Sequence, residues 1–191
     1  MLFRSINFER LLNLTFNSFT ISLISSVLIL VVSTFFLYNE KISNSKIYYY
    51  INQFISLGYS IPGAVVALAV VLSVTGLDNL NDSIKLLGSF SVYFLILIYA
   101  YIIRFMAVGK SPIKSSLEKH PESYDNSAKN LGLSNFKIFQ KIYFPINKYA
   151  FFTALILVFI DLMKELPITL ILRPFNFDTL ATQTYEFAIE E

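Results

Sequence analysis

The stretch NSFTISLISSVLILVVSTFFLY, residues 17–38, runs for 22 positions without a charge. That feature restricts the chain more than any other. A helix needs about 20 apolar residues to cross the hydrocarbon core of a bilayer. The Ser and Thr within it are tolerable there, because their hydroxyls bond the backbone or a neighbouring helix. Composition agrees: the chain is 55% hydrophobic with 19 Phe, and only 15% of its 191 residues are charged. A soluble domain carries nearer ~25%. The expectation is an all-α, multi-pass membrane protein.

Three further stretches fit the same requirement. Tyr48–Val74 is free of charge but contains Pro62, which disturbs a continuous helix. We expect a helix restart at Ile61-Pro62-Gly63, since proline suits a first turn. The tyrosines at 48–50 fit an interfacial aromatic belt. Phe90–Val108 carries one charge, Arg104, near an end from which its long stem can reach water. The fourth span is expected over 146–166, with Asp161, Lys164 and Glu165 at its far end. The N-terminal charges and the long apolar stretch beyond them do not suit a cleaved signal peptide.

Basic residues orient the spans. The connection over 109–145 holds Lys110, Lys114, Lys119, Lys129, Lys137 and Lys141, whereas that over 75–89 holds Lys85 alone. The long connection is therefore expected in the cytoplasm, and both ends of the chain outside. A net charge of +2 carries no nucleic-acid footprint. No Cys is present, so thiolate metal sites and disulfides are excluded, and one histidine, His120, builds no histidine cluster. Phosphate-cradling, zinc-protease and serine-hydrolase motifs are all missing from the sequence.

Within the long connection lies NSAKNLGLSNFKIFQKIYFP, residues 126–145. Pro121 and Glu122 favour a helix start and Gly132 a stop. Phe136, Phe139, Ile142 and Phe144 then recur at roughly helical spacing. A short helix, a glycine turn and a second amphipathic helix fit this pattern, either as a helix resting on lipid or as a docking knob for a cytoplasmic partner.

The stretch resembles the EAA loop of ABC-transporter permeases: Glu-Ala-Ala, three residues, Gly, nine residues, Ile-x-Leu-Pro. Asn126, Ser127 and Ala128 occupy the first positions, Gly132 follows, and Ile142 and Pro145 close it. Asn and Ser replace Glu and Ala, and Phe144 replaces Leu. The resemblance implies a coupling helix that sits in a groove of a cytoplasmic ATPase subunit. A second segment, KELPITLILRPFNFDTLA over 164–181, is similar to a near-signature of ferric-iron permeases, as is LGYSIPGAVVAL over 57–68.

The resemblance covers nearly the whole chain and implies the transmembrane bundle of type I ABC importers, in the cell inner membrane. It implies no enzymatic activity and no bound cofactor in this chain: ATP is used by a partner, and ferric iron is delivered by a periplasmic binding protein. The chain looks like the later half of a fused permease trimmed at both ends, so residues 1–191 form a partial transmembrane domain completed by another half or a second copy. Asp161, Lys164, Glu165, Arg173 and Asp178 become candidates for the translocation path. Carboxylate oxygens suit a hard trivalent cation, whereas Lys164 can neutralise an acid and Arg173 can pair with Asp178. Direct metal ligands are left open. Thiamine, polyamine, sulfate or molybdate cargo, or a membrane scaffold without transport, are the competing readings.

Overall fold

The computed structural model describes residues 8–43, 46–80, 90–121, 127–128 and 130–190. Among these no strand occurs. Helix α1 covers Phe8–Ser43, α2 Lys46–Ser56, α3 Gly63–Leu80 and α4 Phe90–Leu117. Helix α5 runs over Asn135–Met163 and contains a π-helical segment, Phe139–Tyr143. Two short helices close the chain, α6 at Pro167–Leu172 and α7 at Leu180–Ile189.

Helices α1, α4 and α5 are each long and apolar enough to cross a membrane. The pair formed by Lys46–Ser60 and Gly63–Gly76 is bent by 115°. The bend falls where Pro62 was expected to restart the helix. Residues 48–74 are thus two helices joined at a corner rather than one straight span. Pro62 costs nothing there: its missing donor lies at a helix start, and its carbonyl accepts from Val65 and Val66.

The helices outrun the apolar stretches. Helix α1 has 36 residues, about 54 Å at 1.5 Å per residue, against a hydrocarbon core of about 30 Å. Helix α4 continues through Lys110 and Lys114 to Leu117, and α5 begins at Asn135. The connection expected over 109–145 therefore shrinks to 118–134. Pro145 lies inside α5, where its ring opposes the carbonyl four residues back. The π segment just before it answers this: Phe144 donates its amide to the Phe139 carbonyl, one residue further back than an α-helix would use.

Helix α1 is built inside out relative to a soluble helix. Ser18, Ser22, Ser25, Ser26 and Ser33 are buried, while Phe16, Phe19, Leu23, Val27, Val31 and Phe35 are exposed. Lipid is as apolar as leucine, so association of membrane helices relies on small residues that permit close approach. Ser18 and Ser26 return their hydroxyls to the carbonyls of Leu14 and Leu23.

The chain divides into two compact units. One comprises residues 1–26, 61–104 and 159–191, and the other 27–60 and 105–158. In the first, α3 packs against α6. In the second, Leu37, Ile113, Leu117, Ala128, Ile138, Tyr143, Phe151 and Ala154 form a buried cluster. There Gly109 lets α4 approach closely: a methyl group at that position would sit 3.0 Å from Ile29 and 3.3 Å from Val158.

Candidate functional site

The first unit holds an ion pair at the bend between α2 and α3. The Arg104 Nε lies 3.8 Å from a carboxylate oxygen of Glu165, with the two side chains 18% and 8% exposed. Arg104 also donates from Nη1 to the Ile61 carbonyl at 3.1 Å. The other Glu165 oxygen accepts from the Ile168 amide at 3.3 Å, so the carboxylate caps the start of α6. Gly63 lies against both partners: an added methyl carbon would stand 2.5 Å from Arg104 Nη1 and 2.7 Å from Glu165 Oε1. Three sequence-distant pieces therefore meet here, namely the Pro-Gly bend, α4 and the turn after α5. Beside them Tyr101 and Thr169, both buried, join hydroxyls at 2.6 Å.

Arg104 does not extend towards water as its place near the end of an apolar stretch suggested. An ionised group so little exposed is retained by pairing, and Glu165 supplies the partner. The other candidate path residues are also paired. Lys164, exposed, lies 3.1 Å from Asp161. Arg173 donates to Asp178 and, at 2.7 Å, to Glu186 on α7. That fork, with Asn17 donating to the Asp178 carbonyl at 3.0 Å, ties down the loop over 173–179. The loop turns through Asn176 at φ 60 and presents Phe175 at 95% exposure. It ends in a reciprocal cap, where Thr179 and Thr182 exchange backbone and hydroxyl hydrogen bonds at the start of α7. Among the described residues no three His, Asp or Glu side chains, Asp161, Glu165 and Asp178 included, are placed to hold a metal ion.

The second unit holds the candidate coupling element. Asn126 lies outside the described residues. Ser127 is exposed, and Ala128 is buried in the cluster of α1, α4 and α5 residues. A larger side chain at 128 would have to displace that cluster, which accounts for a small residue at this place. Gly132 adopts φ +73. The Leu133 amide reaches back to the Ala128 carbonyl at 3.2 Å, and the Leu131 amide to Ser127. This is a Schellman cap, with the left-handed residue just past the helix end. Gly132 thus stops the short helix as its residue type predicted. Leu131, at 79% exposure, is offered outwards. Ile142 and Pro145 belong to α5 and its π segment rather than to the turn itself. Tyr38 fastens the start of α5 by donating to the Asn135 carbonyl at 2.5 Å.

Two features escaped the sequence reading. Lys110, counted among the basic residues of the connection, is buried in α4. Its ammonium donates to the Asn52 carbonyl and, at 2.5 Å, to the Ser56 hydroxyl, fastening α2 to α4. His120 is half-buried and within 2.9 Å of the Asn147 side-chain oxygen, which also accepts from Ser116. The only local hint was a helix-compatible sequence running past Lys110.

Residues 41–188 match the family described as binding-protein-dependent transport system inner membrane components. The chain belongs to that family. This inner-membrane component holds both the Gly132 turn and the Arg104–Glu165 pair inside the matched range. It is 26% identical over 180 residues, 94% of its length, to the Fe(3+)-transport system permease protein FbpB 2 of Haemophilus influenzae. The chain spans about a third of that relative, 34% of its length. Family membership and the apolar helices make this component a multi-pass protein of the inner membrane with the all-α architecture of type I ABC importers.

Proposed function

We propose that this chain forms part of the membrane-spanning permease of an ATP-driven importer, and that the cargo is ferric iron passed on by a periplasmic binding protein. The observation that carries the importer reading is the Gly132-capped helix leading into α5. A helix end capped at Gly132 and anchored by its own buried Ala128 is held firmly enough to transmit a push from a cytoplasmic ATPase subunit. The iron reading is supported by the likeness to a relative whose name states Fe(3+) transport. It is also supported by the Lys164–Ala181 segment, which places carboxylates at one end of α5 and in the loop after α6. Glu165, Asp161 and Asp178 are all engaged by cationic side chains.

The test is uptake by the full permease co-expressed with its ATPase and binding protein, comparing labelled ferric iron with labelled thiamine. Iron uptake that requires ATP and the binding protein is the expected result. Thiamine uptake without iron uptake overturns the cargo while leaving the importer. Orientation is tested separately by single cysteines, which the Cys-free sequence makes clean: position 137 should label from the cytoplasm. Periplasmic labelling there overturns the coupling role.

A further inference from the structure

A groove of about 410 Å³ opens on the second unit between α1 and the start of α5. Leu30, Phe35, Tyr38, Phe136, Phe139 and Phe151 are among its walls. Thr34 brings the only side-chain hydroxyl besides that of Tyr38, and the Thr34 hydroxyl is turned back onto the Leu30 carbonyl at 2.7 Å. Water gains nothing in such a groove. Several of its walls are exposed aromatics, with Phe136 at 66% and Phe35 at 58%.

Length and charge select the occupant. Along α5 the lining runs from Phe136 to Phe151, fifteen residues, or about 22 Å of helix. One leaflet of hydrocarbon is about 15 Å deep, half of the ~30 Å core. The groove is therefore long enough to hold an acyl chain across one leaflet. Lys137 and Lys141 lie one helical turn apart on α5, both exposed, on the stretch that supplies Phe136, Phe139 and Phe144 to the wall. No carboxylate among the described residues pairs with either. An apolar slot of leaflet depth with two unneutralised, exposed lysines on the helix that forms one of its walls matches a lipid with an apolar tail and an anionic head. Basic pockets between membrane helices on the cytoplasmic side bind such head groups.

We propose that this groove is a selective site for an anionic phospholipid of the cytoplasmic leaflet, its acyl chain between α1 and α5 and its phosphate at Lys137 and Lys141. Phe139 belongs both to the groove and to the π segment before Pro145. On the importer reading above, the lipid therefore lies against the helix that would carry motion from the Gly132 turn into the membrane.

The experiment uses the full permease with its partner subunits. First, the assembly is purified from membranes containing phosphatidylcholine and phosphatidylglycerol, and the retained lipid is identified by native mass spectrometry. Wild type should retain phosphatidylglycerol over phosphatidylcholine. Lys137→Gln should lower that preference roughly five-fold, and Lys137→Gln with Lys141→Gln roughly thirty-fold. Both side chains are exposed, so folding is not at stake. Val31→Trp, which fills the groove from α1, should displace the lipid with both lysines intact. Second, a photo-crosslinking amino acid at Val31 reports the occupant in native membranes. A phospholipid-mass adduct supports the site. An adduct only to polypeptide, from another segment of the assembly or a second copy, overturns it. So does phosphatidylglycerol retention that neither the lysine variants nor Val31→Trp changes.

Discussion

Replacing Gly63 by alanine puts a methyl carbon 2.5 Å from Arg104 Nη1 and 2.7 Å from Glu165 Oε1. Ordinary contact begins near 3.5 Å, so each atom must retreat by about an ångström or the bend must open. Both atoms are side-chain ends that can swing aside, but each is held by a hydrogen bond. Arg104 Nη1 is held by the Ile61 carbonyl at 3.1 Å, and Glu165 Oε1 by the Ile168 amide at 3.3 Å. Swinging aside gives up about one of them, and a hydrogen bond to a charged group is worth about 1.5–3 kcal/mol. Alanine returns up to about 1 kcal/mol through its better helix propensity. Gly63→Ala should therefore destabilise by about 0.5–2 kcal/mol. The assay is unfolding in mixed micelles by SDS titration, in two backgrounds. With Arg104→Ala and Glu165→Ala already present, the methyl meets nothing charged, and the cost of Gly63→Ala should vanish. Contacting residues deviate from additivity by about 0.5–3 kcal/mol, so the difference is measurable. An equal cost in both backgrounds, or stabilisation in the wild-type background, would refute the idea that the glycine serves this ion pair.

Two further expectations concern the other built features. At Gly132 nothing lies within 4 Å of an added methyl group, so a substitution acts through the left-handed backbone alone. Gly132→Val should lose about 1–2 kcal/mol at the turn and weaken binding-protein-stimulated ATP hydrolysis, while Gly132→Asn, which tolerates that backbone, stays near wild type. Wild-type stimulation in the valine variant would show that the turn is not needed. Arg173→Gln severs the links to Asp178 and Glu186, which are about one-third exposed. It should cost about 1–2 kcal/mol after screening and make the loop over 173–179 susceptible to proteolysis. Arg173→Lys should not restore resistance, because one ammonium does not reproduce a two-pronged fork. Unchanged proteolysis in both variants would count against the clamp.

Several parts of this protein were legible from local chemistry. A charge-free run of 22 residues specifies a membrane-length helix wherever it is placed. Pro62 specifies a break and Gly132 a stop, because a missing amide and a missing Cβ act on the backbone within a turn of themselves. The Arg173–Asp178 pair was readable too, since its members are five positions apart.

Helix limits were less legible. Local sequence does not say where an apolar helix stops once it leaves the hydrocarbon, and both α4 and α5 run on through lysines. The buried face of α1 was not legible either. A helix apolar on most sides has no single oily stripe to point inwards, and the serines that face inwards are recognisable only by what they touch. The Arg104–Glu165 pair joins residues 61 positions apart, and Lys110 reaches Ser56 across 54. In sequence each is one charge near the end of an apolar stretch. Burial of a charge is decided by whether a partner stands within reach, and that depends on how helices pack, which no short window of residues records.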